Sequence, residues 1–115
     1  MRVLFNWKMT KSSFKKKYVR ANNLLELIHF DVCGPMSTSA RGGYRYFIIF
    51  IDDYSRYGYV YLMKNKSEFF EKFKEYKNEV ENQLDKKIKT LRTDRGGEYL
   101  SIEFSTFLKE CGIVP

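Results

Sequence analysis

A mixed α/β domain with elements in the order βββαβα is the fold class this 115-residue sequence predicts, on three observations. Three apolar or alternating stretches, within 24–32, 46–51 and 57–63, are each closed by turn-forming residues, as strands are. Phe69, Phe73, Tyr76, Val80 and Leu84 then recur at three- and four-residue spacing, the period of an amphipathic helix. A shorter alternating stretch at 88–92 and a second helical spacing, Phe104, Phe107, Leu108 and Cys111, complete the order.

Leu24, Leu25, Leu27, Ile28, Phe30 and Val32 read as a buried strand ended by Gly34 and Pro35, with Asp31 near its C-terminal end. YFIIFI at 46–51 is the second strand, and Asp52, Asp53, Tyr54, Ser55 and Arg56 supply turn chemistry before the third, YGYVYLM. The short connection makes these two an antiparallel hairpin. Ser67 is the expected N-cap of the first helix, with Glu68 and Glu71 in the first turn, where the helix dipole favours acids. The fourth strand leads into Thr93, Asp94, Arg95, Gly96 and Gly97, and Gly112 stops the second helix. A meander followed by a crossover helix to a strand parallel with the first is the beginning of an RNase H-like mixed sheet. That fold normally continues further, so a C-terminally truncated version is expected.

The length supports one core, and the division expected is an N-terminal arm at 1–23 and a partial catalytic core at 24–115. Residues 1–20 carry Arg2, Lys8, Lys11, Lys15, Lys16, Lys17 and Arg20 and no acid, so the whole net charge of +7 lies in the arm. Lys11, Lys15, Lys16, Lys17 and Arg20 are candidates for phosphate contacts with nucleic acid. The alternative is a solvated leader that binds nothing. Cys33 and Cys111 stand far apart with no Cys/His cluster, so neither a zinc site nor a disulfide framework is indicated, and a reducing nuclear or cytoplasmic location fits. No stretch has the length of a membrane span.

If the fourth strand lies parallel to the first, Asp31 and Asp94 sit at the C-terminal ends of strands about 4.8 Å apart. Two carboxylates so placed suit Mg²⁺ or Mn²⁺, the hard ions of two-metal phosphodiester chemistry. Two aspartates at strand ends are equally ordinary turn residues, and spacing alone does not decide between these readings. Asp52 and Asp53 are expected to cap their turn and pair with Arg56, and His29 to be a satisfied strand residue.

LLELIHFDVCGPM at 24–36, YFIIFIDDYSRYGYVYLMKNKSE at 46–68 and KIKTLRTDRGGEY at 87–99, in this order, resemble the integrase core of copia-type retrotransposon Pol polyproteins. The resemblance runs from Leu24 to Pro115. It implies a retroviral-integrase-like core that binds DNA and uses two aspartates and a glutamate for metal-dependent strand transfer. Asp31 matches the first aspartate and Asp94 the second. The family's glutamate lies beyond Pro115, and Met1 and Leu4 stand where its upstream zinc module has cysteines. These departures imply a fragment with weak or absent Mg²⁺ or Mn²⁺ binding and little activity alone.

Two other functions compete. A ribonuclease H would use a glutamate of the first helix, with Glu71 and Glu75 as candidates. A non-catalytic remnant would bind nucleic acid through its arm and self-associate through the face left uncovered by truncation. Lys64, Lys66, Lys86, Lys87 and Lys89 are either nucleic-acid contacts near the site or solvated strand and helix ends.

Overall fold

The computed structural model describes residues 2–6, 21–37, 42–93, 99 and 101–115. Regular structure begins earlier than the sequence pattern predicts: Arg2–Asn6 is an edge strand, β1, in place of an unstructured start to the arm. Its apolar core, Val3, Leu4 and Phe5, is too short to show a period, and its pairing comes from a strand over fifty residues away, with Arg2 opposite Tyr61 and Asn6 opposite Tyr57.

The next strands are β2 (Leu27–Cys33), β3 (Tyr46–Asp52) and β4 (Tyr57–Met63), each antiparallel to its neighbour. The helix α1 (Phe69–Leu84) carries the chain across to β5 (Thr90–Arg92), which pairs with β2 in parallel. A second helix, α2 (Ile102–Glu110), follows. The sheet order is β1-β4-β3-β2-β5, a mixed sheet consistent with the RNase H-like expectation.

Alternation along each strand sorts its side chains onto two faces. Ile28, Phe30 and Val32 of β2, Ile48 and Phe50 of β3, and Tyr59, Tyr61 and Met63 of β4 form the core with Phe73, Tyr76 and Val80 of α1 and Phe104 and Leu108 of α2. Phe50 is the centre of this packing. Its ring stacks on Tyr76 at 4.5 Å and 8°, with Phe30, Tyr61 and Phe73 at 5.8–6.1 Å. Each such aromatic, fully buried, contributes about 1.5–3 kcal/mol from area alone. On the opposite face lie His29, Asp31 and Cys33, in register with Ile51, Ile49 and Phe47.

The start of α1 differs from the expected Ser67 cap. Lys66–Glu68 forms a 3-10 turn, Asn65 is the extended residue before it, and the Glu68 carboxylate accepts the Asn65 N–H at 3.1 Å. Asn65 followed three residues later by Glu68 gives the reciprocal capping chemistry that Ser67, inside the turn, cannot. At the far end Asp85 adopts φ 55°. Glu81 then accepts Ile88 N–H at 2.8 Å and pairs with Lys77 at 2.9 Å, which directs the chain back toward β5. Ser101 caps α2 by accepting the Phe104 N–H at 3.1 Å, and Gly112 ends it at φ 74°. Beyond it Val114 lies parallel beside Thr90, exchanging hydrogen bonds with Lys89 and Leu91 at 2.9 Å. Among the described residues no helix is long and apolar enough to cross a membrane.

Candidate functional site

Asp31 is the one exposed residue of β2, set between buried Phe30 and Val32. Burial alternates there because Phe30 and Val32 point into the core, which turns Asp31 to the other face. Its partner on β3 is Ile49. On the other side of β2 the parallel ladder to β5 runs Leu27 with Thr90, Ile28 with Leu91 and His29 with Arg92. Asp31 follows His29 by two residues, and in the sequence Asp94 follows Arg92 by two. Asp94 lies outside the described residues, as do Lys11, Lys15, Lys16, Lys17 and Arg20.

The carboxylate of Asp31 is a hard oxygen donor of the kind Mg²⁺ and Mn²⁺ take, so the donor fits in kind. It does not fit in number among the described residues, where no three His, Cys, Asp or Glu side chains gather to hold a metal. Beyond Asp31 the backbone is held in place by Gly34, whose φ is +130°. A Cβ there would meet Arg45 O at 2.7 Å and the Tyr46 ring at 2.8 Å. Met36 N–H donates to Arg45 O at 2.8 Å, so the exit of β2 is pressed against the entry of β3.

The opposite end of the sheet holds a buried polar network. Asp53 is fully buried; its Oδ2 accepts the Ala21 N–H at 2.7 Å and its Oδ1 lies 3.0 Å from His29 Nε2. A carboxylate only accepts, so this bond keeps the proton on Nε2. Arg56 Nη1 is 3.9 Å from the same oxygen. Asp52 accepts the Leu25 and Ser55 N–H groups, both at 2.9 Å. Asp52 therefore caps the turn and Asp53 pairs with Arg56, and together they fasten residues 21–25 to the sheet. Burial lowers the pKa of His29 below its ordinary value, and the hydrogen bond and charge of Asp53 oppose that shift. The His29–Asp53 contact spans 24 residues of sequence. Its only sequence signal is a histidine inside an otherwise apolar run.

Glu71 and Glu75 are not brought to Asp31. Their carboxylates are 71% and 55% exposed on α1 and pair with Lys74 and Lys72. The lysines divide by position. Lys64 and Lys66 follow the end of β4, which lies at the same sheet edge as the end of β2. Lys86, Lys87 and Lys89 precede β5 at the other edge, where Lys89 N–H donates to Leu25 O at 3.0 Å. Cys33 and Cys111 are half-buried thiols.

Residues 21–115 match the profile of the integrase core domain family. The chain is 42% identical over 106 residues to the retrovirus-related Pol polyprotein from transposon TNT 1-94 of Nicotiana tabacum, covering 92% of this chain and 8% of that protein. It is 35% identical over 95 residues to the corresponding polyprotein from transposon RE1 of Arabidopsis thaliana, covering 83% and 6%. The transposon Ty1-NL2 Gag-Pol polyprotein of Saccharomyces cerevisiae is 27% identical over 101 residues, covering 86% and 6%. The chain thus spans less than a tenth of each of these relatives. The match over residues 21–115, with identities of 42% and 35% to the first two of these polyproteins, makes this chain a member of the integrase core domain family, of the kind found in retrotransposon Pol polyproteins.

Proposed function

We propose that this chain is the carboxylate-bearing sheet of an integrase core that binds DNA and serves metal-dependent strand transfer, with Asp31 and Asp94 as its metal-holding residues. The observation that carries the reading is the exposed Asp31, two residues past the last parallel pair, His29 with Arg92. In this reading the register would continue by two residues on each strand, so that Asp94 would stand beside Asp31. A bound Mg²⁺ or Mn²⁺ would supply Lewis-acid polarisation of a phosphodiester. The chain's own part would be to present the Asp31 carboxylate from a strand backed by Phe30 and Val32 in the core, with Asp94 as the second donor. Lys11, Lys15, Lys16, Lys17 and Arg20 belong to the same reading as phosphate contacts, and action on DNA places the chain in the nucleus or cytoplasm. Self-association is a second reading, favoured by the half-exposed apolar strip of Phe47, Ile49, Val60 and Leu62 beside Asp31.

The test is a Mn²⁺ titration of the isotope-labelled chain followed by NMR. The expected result is paramagnetic broadening of amides around Asp31 and Asp94 that is lost in the Asp31→Asn, Asp94→Asn variant. A folded wild-type chain without such broadening, or equal broadening in the variant, overturns the metal assignment.

A further inference from the structure

Arg45 and Lys64 stand side by side at the sheet edge toward which Asp31 points the chain. Arg45 N–H donates to Met63 O at 3.1 Å, which sets Arg45 against the end of β4 and next to Lys64. Both residues are exposed. Among the described residues the Arg45 guanidinium makes one long bond, Nη2 to Met36 O at 3.4 Å, which leaves most of its donors available. The Lys64 ammonium rests 5.7 Å above the ring of half-buried Tyr44.

Their surroundings differ from those of the cations on α1. Lys72, Lys74 and Lys77 each have a glutamate at 3.3, 3.4 and 2.9 Å. Among the described residues neither Arg45 nor Lys64 has a carboxylate in ion-pair range. Glu68 is close to Lys64, but its oxygens accept the backbone N–H groups of Lys64 at 3.4 Å and Asn65 at 3.1 Å. That carboxylate serves the helix start. Two cations with no counter-charge among the described residues, one a planar fork and one a point charge, suit phosphate oxygens. The ring of Tyr44 adds a cation–π contact of about 0.5–1 kcal/mol that holds the ammonium in position.

We propose that Arg45 and Lys64 form a phosphate clamp for a DNA strand that runs past Asp31. The inference rests on the DNA-binding reading above and gives it a location. Arg45 lies four residues beyond Ile49, the partner of Asp31, or about 14 Å along the strand at about 3.4 Å per residue. With a rise of roughly 3.4 Å per nucleotide, the clamp meets phosphates about four nucleotides from the carboxylate edge.

The experiment measures the affinity of the full chain for a labelled duplex DNA of mixed sequence across a series of salt concentrations. Each lost phosphate contact lowers the log–log salt slope by about 0.9, so Arg45→Gln with Lys64→Gln should reduce it by about 1.8 and weaken binding at least about tenfold in roughly 0.1 M salt. Arg45→Lys should keep the slope while weakening binding less, because it retains charge without the fork. Lys72→Gln with Lys74→Gln should leave both values unchanged. A double variant that folds, judged by circular dichroism, and keeps the wild-type slope overturns the clamp while leaving DNA binding standing. Wild-type protein with no salt-dependent binding overturns the DNA reading and the clamp with it.

Discussion

Replacing Asp53 with alanine tests whether the buried network at the far sheet edge holds the domain together. The carboxylate accepts Ala21 N–H at 2.7 Å and faces His29 Nε2 at 3.0 Å, with no part of the side chain exposed. Hydrogen bonds to a charged group contribute about 1.5–3 kcal/mol each, so losing both costs about 3–6 kcal/mol. Arg56, at 3.9 Å and 19% exposed, adds little. A loss of that size is a large part of the roughly 5–15 kcal/mol that keeps a domain folded. Asp53→Asn keeps one acceptor and should lose about half as much. Urea unfolding followed by circular dichroism reads both variants, and the Ala21 amide should gain exchange rate in Asp53→Asn before the Phe50 amide does. A loss below about 1 kcal/mol for Asp53→Ala with an unchanged m-value would refute the argument, since the bonds would then be replaceable by water.

Acid should weaken the fold through His29. Its folded pKa lies below the ordinary 6.5, so as pH falls through 6.5 the unfolded chain takes up protons before the folded one and stability drops until the folded pKa is reached. Urea midpoints for wild type and His29→Gln should show this slope in the wild type and a flatter one in the variant. Gly34→Ala places a side chain at φ +130° and against Arg45 O, and should destabilise by about 1–3 kcal/mol from backbone strain alone; an unchanged urea midpoint would contradict the tight approach of β2 to β3.

The order of strands and helices was legible because each element carries its own period: Phe73, Tyr76 and Val80 face the core that their spacing predicts, as do Ile48 and Phe50. The capping role of Asp52 and the pairing of Asp53 with Arg56 were legible from local chemistry. β1 was not, because three apolar residues carry no period and their partner lies on β4. Position along the chain also gave no way to separate Lys64 and Lys66 from Lys86, Lys87 and Lys89. That separation depends on the direction in which each strand crosses the sheet. Asp31 was legible from its place near the end of an apolar run and from the segment around it, whereas Arg45 gained meaning only from the hydrogen bond that sets it beside the end of β4.

The pairing of β1 with β4 bears on the sequence of folding events. The β3–β4 hairpin closes from Ile51 to Gly58 across six residues, whereas β1 closes from Asn6 to Tyr57 across fifty. On a loop-entropy scale the longer closure costs about 2 kcal/mol more. β1 should therefore dock after the meander has formed and open before any other strand. Opening it alone would leave the bond of Ala21 to Asp53 intact. The strand least costly to release is therefore the one nearest the N-terminus, and β4 would become the sheet's edge when it leaves.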